Sequence, residues 1–171
     1  MMSNYSTCLE IILEHEGGFV NHPKDPGGIT NYGVTKKVYD KWVGRETTPK
    51  EMRDLTHEDV APIYKKNYWN RAKCDQLPMG VDLCVFDWAV NSGVSRSAKA
   101  LQRIVGVEQD GGIGPMTLQA VAEVEPEDII EQLHYTRQNF YEKLSTFDTF
   151  GKGWTRRNDE TKEKALEMLH G

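Results

Sequence analysis

Two carboxyl groups, Glu16 and Asp25, flank the start of a glycine- and proline-rich stretch, with eight residues between them. Cleaving a glycosidic bond by acid–base chemistry takes such a pair. One carboxyl stays protonated at neutral pH and gives its proton to a leaving oxygen; the other stays ionised and activates water or stabilises a cationic transition state. Burial against apolar side chains keeps a carboxyl protonated, and a helix C-terminus pushes the same way because its dipole disfavours added negative charge. Glu16 has both influences by placement. At ~100° per residue, Tyr5, Leu9, Ile12 and Leu13 share one helix face, and Glu16 falls within it, whereas Glu10 and Glu14 lie on a polar side. Asp25 stands in the turn Asp25-Pro26-Gly27-Gly28, where it reads either as the second carboxylate or as an Asx turn. Thr30, five residues on, is either a hydroxyl facing the same site or a simple β-former.

The elements that must position these groups follow from pattern. A helix is expected from about Ser3 to Glu16, stopped by Gly17-Gly18. Residues 19–34 read as an irregular β-hairpin or Ω-like loop, with Phe19-Val20 and Ile29 to Val34 as β-formers. Thr35 caps a short helix carrying Val38, Tyr39 and Trp42; Thr48-Pro49-Lys50-Glu51 is a capping box, and Thr56 with Asp59 is another cap. Pro62 predicts a kink or a late start in a helix over 57–69. Residues 79–91 are apolar nearly all round and form the central buried helix, ended by Ser92-Gly93. Helices follow over 95–105, 115–122 and 126–145, and the tail begins with aromatics and Gly151/Gly153 before a charged helix. The architecture is mainly α with a small β-hairpin, one domain over 1–171 with a sub-division into 1–76 and 77–171.

Composition narrows the function classes. With 38% hydrophobic and 27% charged residues the chain is an ordinary folded protein, and a net charge of −5 argues against nucleic acid as a partner. No stretch approaches the ~20 apolar residues of a membrane span, so no membrane insertion is expected. Cys8, Cys74 and Cys84 have no CxxC or zinc spacing and read as reduced, buried thiols. The five histidines show no metal pattern, and no Ser-His-Asp or Cys-His arrangement can be argued, so an amidase or peptidase lacks its ligands or nucleophile. No cofactor is expected. The N-terminal segment has no basic region ahead of an apolar run, so no signal peptide is expected.

Other residues carry two readings each. Asn91 ends the buried helix or also bonds a sugar N-acetyl group. Asp82 and Asp87, on that apolar helix, read as partners of a buried Arg or Trp N–H. Asp110-Gly111-Gly112-Ile113-Gly114-Pro115 lacks the further acids of a calcium loop and the Lys-Ser/Thr of a phosphate loop, which leaves a tight turn into a helix. Tyr32, Tyr68, Trp69 and Trp154 are core aromatics or sugar-stacking rings; Lys152, Arg156 and Arg157 form a small basic cluster; His22 lies in the glycine-rich loop.

The run Glu16-Gly-Gly-Phe, then Pro23-x-Asp25-x-Gly27-Gly28-x-Thr30-x-x-Gly33-Val-Thr35, resembles the signature of glycoside hydrolase family 108, phage endolysins and bacterial muramidases that cut peptidoglycan. Tyr68-Trp69, Asp87-x-Ala89-Val90-Asn91-Ser-Gly93, Leu101-Gln102, Asp110-Gly111-x-x-Gly114-Pro115-x-Thr117 and Phe150-x-x-Gly153-Trp154-x-x-Arg157 resemble that family's later half, described as a peptidoglycan-binding region. The resemblance implies a lysozyme-like fold, a helical lobe and a hairpin lobe flanking a cleft. It implies hydrolysis of the β-1,4 bond between N-acetylmuramic acid and N-acetylglucosamine, with Glu16 as catalytic acid, Asp25 as its partner and Thr30 holding water. Eight residues likewise separate the acids of phage-type lysozymes, which the order Glu, Asp, Thr resembles; the gap from Asp25 to Thr30 is one residue shorter here. Tyr32, His22, Asn91 and Trp69 are the expected substrate contacts. The rivals are a lytic transglycosylase and a non-catalytic peptidoglycan-binding module. The implied partner is the peptidoglycan glycan strand, met by a monomer made in the (host) cytoplasm and released to the wall by a separate pore-former such as a holin.

Overall fold

The computed structural model describes residues 4–21 and 28–171. Nine α-helices and three short strands occur among them, and the chain groups into two compact units, one of Leu9–Asn67 and one joining the N-terminal segment through Cys8 to Tyr68–Gly171.

Helix α1 spans Tyr5–Glu16. Its apolar stripe is buried at Tyr5, Leu9, Ile12 and Leu13, Glu16 is half-buried, and Glu10 and Glu14 are exposed. Gly17 ends it in the left-handed region (φ 79°), donating its N–H to the Leu13 carbonyl at 3.1 Å.

In the Leu9–Asn67 unit, β1 (Val20–Asn21), β2 (Ile29–Asn31) and β3 (Val34–Thr35) form an antiparallel meander with Val20 opposite Thr30 and Thr30 opposite Thr35. The run Ile29 to Val34 is thus two strands and not one. Tyr32 (φ 49°) and Gly33 (φ 75°) fold it back in a two-residue turn with both residues left-handed, the geometry whose twist matches paired strands. Buried Asn31 ties the sheet to α3 (Pro49–Arg53), its amide donating to the Met52 and Arg53 carbonyls at 2.9 and 3.3 Å. Three caps stand where the sequence puts them: Thr35 on α2 (Lys36–Val43), and the reciprocal boxes Thr48/Glu51 on α3 and Thr56/Asp59 on α4 (His57–Tyr64). Pro62 delays nothing, since α4 starts at His57; the irregularity comes after it, as a π-helical turn over Lys65–Trp69.

In the other unit, α5 (Val81–Ser92) is the buried axis, every residue from Val81 to Ala89 being buried. It packs with α6 (Val94–Val105), α8 (Pro126–Glu142) and α9 (Phe147–His170), and α7 (Pro115–Ala122) packs on α6. Asp87, 0% exposed, is held by two guanidiniums, Arg137 Nη1 at 2.8 Å and Arg157 Nη2 at 2.9 Å, with the Thr161 hydroxyl at 3.2 Å. Burial pushes its carboxyl up, but the two cations outweigh burial and hold it well below the usual carboxylate range. Asp82 has no such cation; burial raises its carboxyl against hydrogen bonds from Asn4 and the Leu83 and Gly80 N–H groups. Gln102 staples the Asp110 loop, its amide reaching Asp110 Oδ1 and the Gly112 carbonyl and its oxygen accepting from the Gly111 N–H at 2.9 Å. That loop is a turn, as its composition implies.

The tail corrects two expectations. Helix α9 runs unbroken through Gly151 and Gly153, and the Phe147 ring lies so close to Gly151 that a Cβ there would sit 2.6 Å from it. Arg157 leaves the basic cluster with Lys152 and Arg156 and turns inward to Asp87.

The three cysteines are buried and unbridged. Burial pushes the Cys84 thiol up to about 12 and raises Cys8 and Cys74 as well, with nearby Asp82 adding to the shift in both.

Candidate active site

Glu16 arrives at its position because α1 carries it along a buried stripe and Gly17 then turns the chain away. The turn between β2 and β3 comes up against it. A Cβ built on Gly33 would lie 3.0 Å from Glu16 Cβ, 3.0 Å from Glu16 Oε2 and 2.5 Å from the Tyr64 hydroxyl. Only a glycine lets this turn close onto the carboxyl, and only a glycine sits there at φ 75° without strain. Tyr64, 2% exposed at the end of α4, donates its hydroxyl to the Tyr32 carbonyl at 2.8 Å, which fixes the turn. The half-buried Tyr32 ring in turn meets His57 edge-on, centroids 4.7 Å apart. The result is a half-buried carboxyl on a rigid helix, bounded by a turn that a buried tyrosine locks in place.

The other expected residues fall as follows. Thr30 is half-buried on β2, two residues before Tyr32; because Asn31 points to α3, Thr30 projects from the opposite face of the sheet. Asp25 and His22 lie outside the described residues. Asn91 is in the other unit, at the end of α5, and its Oδ1 accepts from the Tyr141 hydroxyl and from Ser92 Oγ. Trp69 is 1% exposed, packed edge-on to Tyr5 and Phe86, with its N–H given to Asp75 at 2.7 Å. A ring enclosed in this way has no face left for a saccharide, so Trp69 belongs to the core. Tyr64 and Gly33 are the residues that motif reasoning missed as site contacts. The signal for Tyr64 was thin: it shares an apolar α4 face with Val60 and Ile63, and a buried tyrosine hydroxyl needs a partner.

Among the described residues no group of His, Cys, Asp or Glu is arranged to hold a metal, and no helix is long and apolar enough to cross a membrane. Residues 9–93 match the family model described as Glycosyl hydrolase 108. A solved structure titled "Structure of Brucella abortus SagA" matches with a TM-score of 0.86 and 42% identity, over 98% of this chain and 97% of that one. The chain belongs to the glycosyl hydrolase 108 family. Residues 96–159 match a second model, described as a Predicted Peptidoglycan domain, and no curated protein matches. Family membership makes the chain a peptidoglycan hydrolase, and its fold is lysozyme-like, mainly α with a small antiparallel sheet. Glu16, Gly33 and Tyr64 all lie within the segment matched to the glycosyl hydrolase 108 model.

Proposed function

We propose that this glycosyl hydrolase 108 protein is an N-acetylmuramidase that cleaves the β-1,4 bond between N-acetylmuramic acid and N-acetylglucosamine, with Glu16 as general acid. The observation that carries the reading is the half-buried Glu16 carboxyl held against Gly33 by the Tyr64-locked turn. In this mechanism Glu16 protonates the departing glycosidic oxygen while the sugar develops oxocarbenium character. Asp25, eight residues beyond it, activates water or stabilises that cation, and Thr30 orients the water. Tyr32 and His22 contact the sugar from the same stretch. No cofactor takes part. The protein works as a monomer, made in a cytoplasm and released to the wall by a separate pore-former of the holin type; its buried, unbridged thiols suit synthesis in a reducing compartment.

Replacing Glu16 by Gln keeps shape and removes the proton. Reducing-sugar release from purified sacculi is expected to fall about 10²–10⁴-fold, with the circular dichroism spectrum and Tm unchanged. Wild-type-like release by a folded Glu16→Gln protein would overturn the assignment. Mass spectrometry of the products reads the reaction type: a reducing N-acetylmuramic acid end supports hydrolysis, and an anhydro sugar makes the protein a lytic transglycosylase.

A further inference from the structure

A groove of about 490 Å³ runs along α6, walled by Arg96, Lys99 and Arg103 and floored by Trp88 of α5 and Phe140 of α8. Steps of three and four residues set the three cations on one helix face, over a span of about 10 Å. All three are exposed, and none makes an ion pair among the described residues. In a chain of net charge −5 this is a local reversal of sign. Arg96 is placed against the helix's own preference. It stands in the first turn of α6, where the dipole disfavours a cation and no acid offsets it. What holds it is the Phe140 ring, 4.1 Å from guanidinium carbon to centroid, a second lining residue of the same groove.

We propose that this groove binds the stem peptide of murein through its free carboxylates. The proposal rests on the reading of the chain as a murein hydrolase. The chemistry selects the peptide over the glycan. Sugar residues of the strand offer hydroxyl and acetamido groups, and the lactyl carboxyl of muramic acid is consumed in the amide bond to the peptide. The negative charge of murein therefore sits on the peptide's carboxylates. A span of about 10 Å matches about three residues of extended peptide, and the aromatic floor accepts alanine methyl groups between the charges.

The test is co-sedimentation of the full chain, on ice, with purified sacculi and with the same sacculi whose peptide carboxylates are capped as methylamides by carbodiimide coupling, which keeps the crosslinks and the glycan intact. Changing Arg96, Lys99 and Arg103 together to Gln is expected to weaken binding to untreated sacculi about tenfold and to leave binding to capped sacculi unaltered, as three exposed ion pairs imply. A charge-matched control, Lys37, Lys50 and Lys143 to Gln, all exposed, is expected to bind as wild type. Wild-type affinity in the groove variant, an equal loss on capped sacculi, or an equal loss in the control would each overturn the proposal. Reducing-sugar release from the wild type separates the two readings. Release together with unchanged sedimentation of the groove variant removes the peptide site alone; carboxylate-dependent sedimentation with no release removes the hydrolase reading alone.

Discussion

Replacing Asp87 by Asn is expected to be the most damaging isosteric change in the chain. The carboxylate is 0% exposed, and the side chains of Arg137 and Arg157 facing it are 3% and 12% exposed. An amide of the same shape takes from Arg137 and Arg157 the anion that they share. Breaking a buried pair from one side costs about 3–5 kcal/mol, and at about 2–4 °C per kcal/mol for a chain of this length Tm should fall by roughly 6–20 °C. The pH dependence carries a sign. Because the folded carboxyl lies below its unfolded value of about 3.9, its contribution is full at neutral pH and is lost as pH falls below about 4. The gap between wild type and Asp87→Asn should therefore be widest near pH 7 and narrow in acid. Asp82→Asn supplies the contrast. Its folded carboxyl is raised, so its contribution is present at low pH and lost as pH rises through the raised value. At pH 7 the neutral amide removes that cost, keeps an oxygen for the Gly80 and Leu83 N–H groups, and should melt at or above wild type. Thermal unfolding followed by circular dichroism between pH 3 and 7 reads both. A Tm for Asp87→Asn within about 2 °C of wild type, or a gap that does not narrow toward pH 3, would refute the reasoning.

Gly33→Ala should cost about 1–3 kcal/mol of stability through its left-handed backbone and its contact with Tyr64, and should lower murein hydrolysis further than stability because the same Cβ displaces Glu16. Adding Tyr64→Phe removes the nearest clashing atom, so the double variant should regain part of the loss in Tm and turnover, a non-additivity that independent sites would not show. Gln102→Ala should cost about 1–3 kcal/mol in urea denaturation, because the Gly111 N–H loses its acceptor, and should speed hydrogen exchange at that amide. Gly151→Ala, which helix propensity alone would reward with up to ~1 kcal/mol, should instead lower Tm, and the sign should reverse in a Phe147→Ala background.

Much of the frame was legible because it rests on local chemistry. The caps at Thr35, Thr48 and Thr56 need only a hydroxyl and the N–H three residues on, and helical periodicity alone separates Glu16 from Glu10 and Glu14. What escaped depends on partners distant in sequence. A tyrosine at φ 49° runs against turn preference, so the strand break at Tyr32-Gly33 is enforced from outside, by the Tyr64 hydroxyl 32 residues later. Glycines read as helix breakers at 151 and 153 until the Phe147 ring shows why the first has no side chain. Arg157 looked like surface charge because its partner, Asp87, lies 70 residues away. Trp69 sits in a motif that suggests a ligand, but burial is decided by Tyr5 and Phe86, which the motif does not contain.

The three sequestered thiols have a practical corollary. Burial keeps each sulfur protonated and out of contact with reagents, so neither oxidation nor alkylation has a thiolate to work on while the fold is intact. A cysteine engineered onto an exposed position such as Lys143 would then be the single reactive thiol in the molecule. A dye or spin label could be attached there without removing a native residue, and the protein followed on the surface of a living wall.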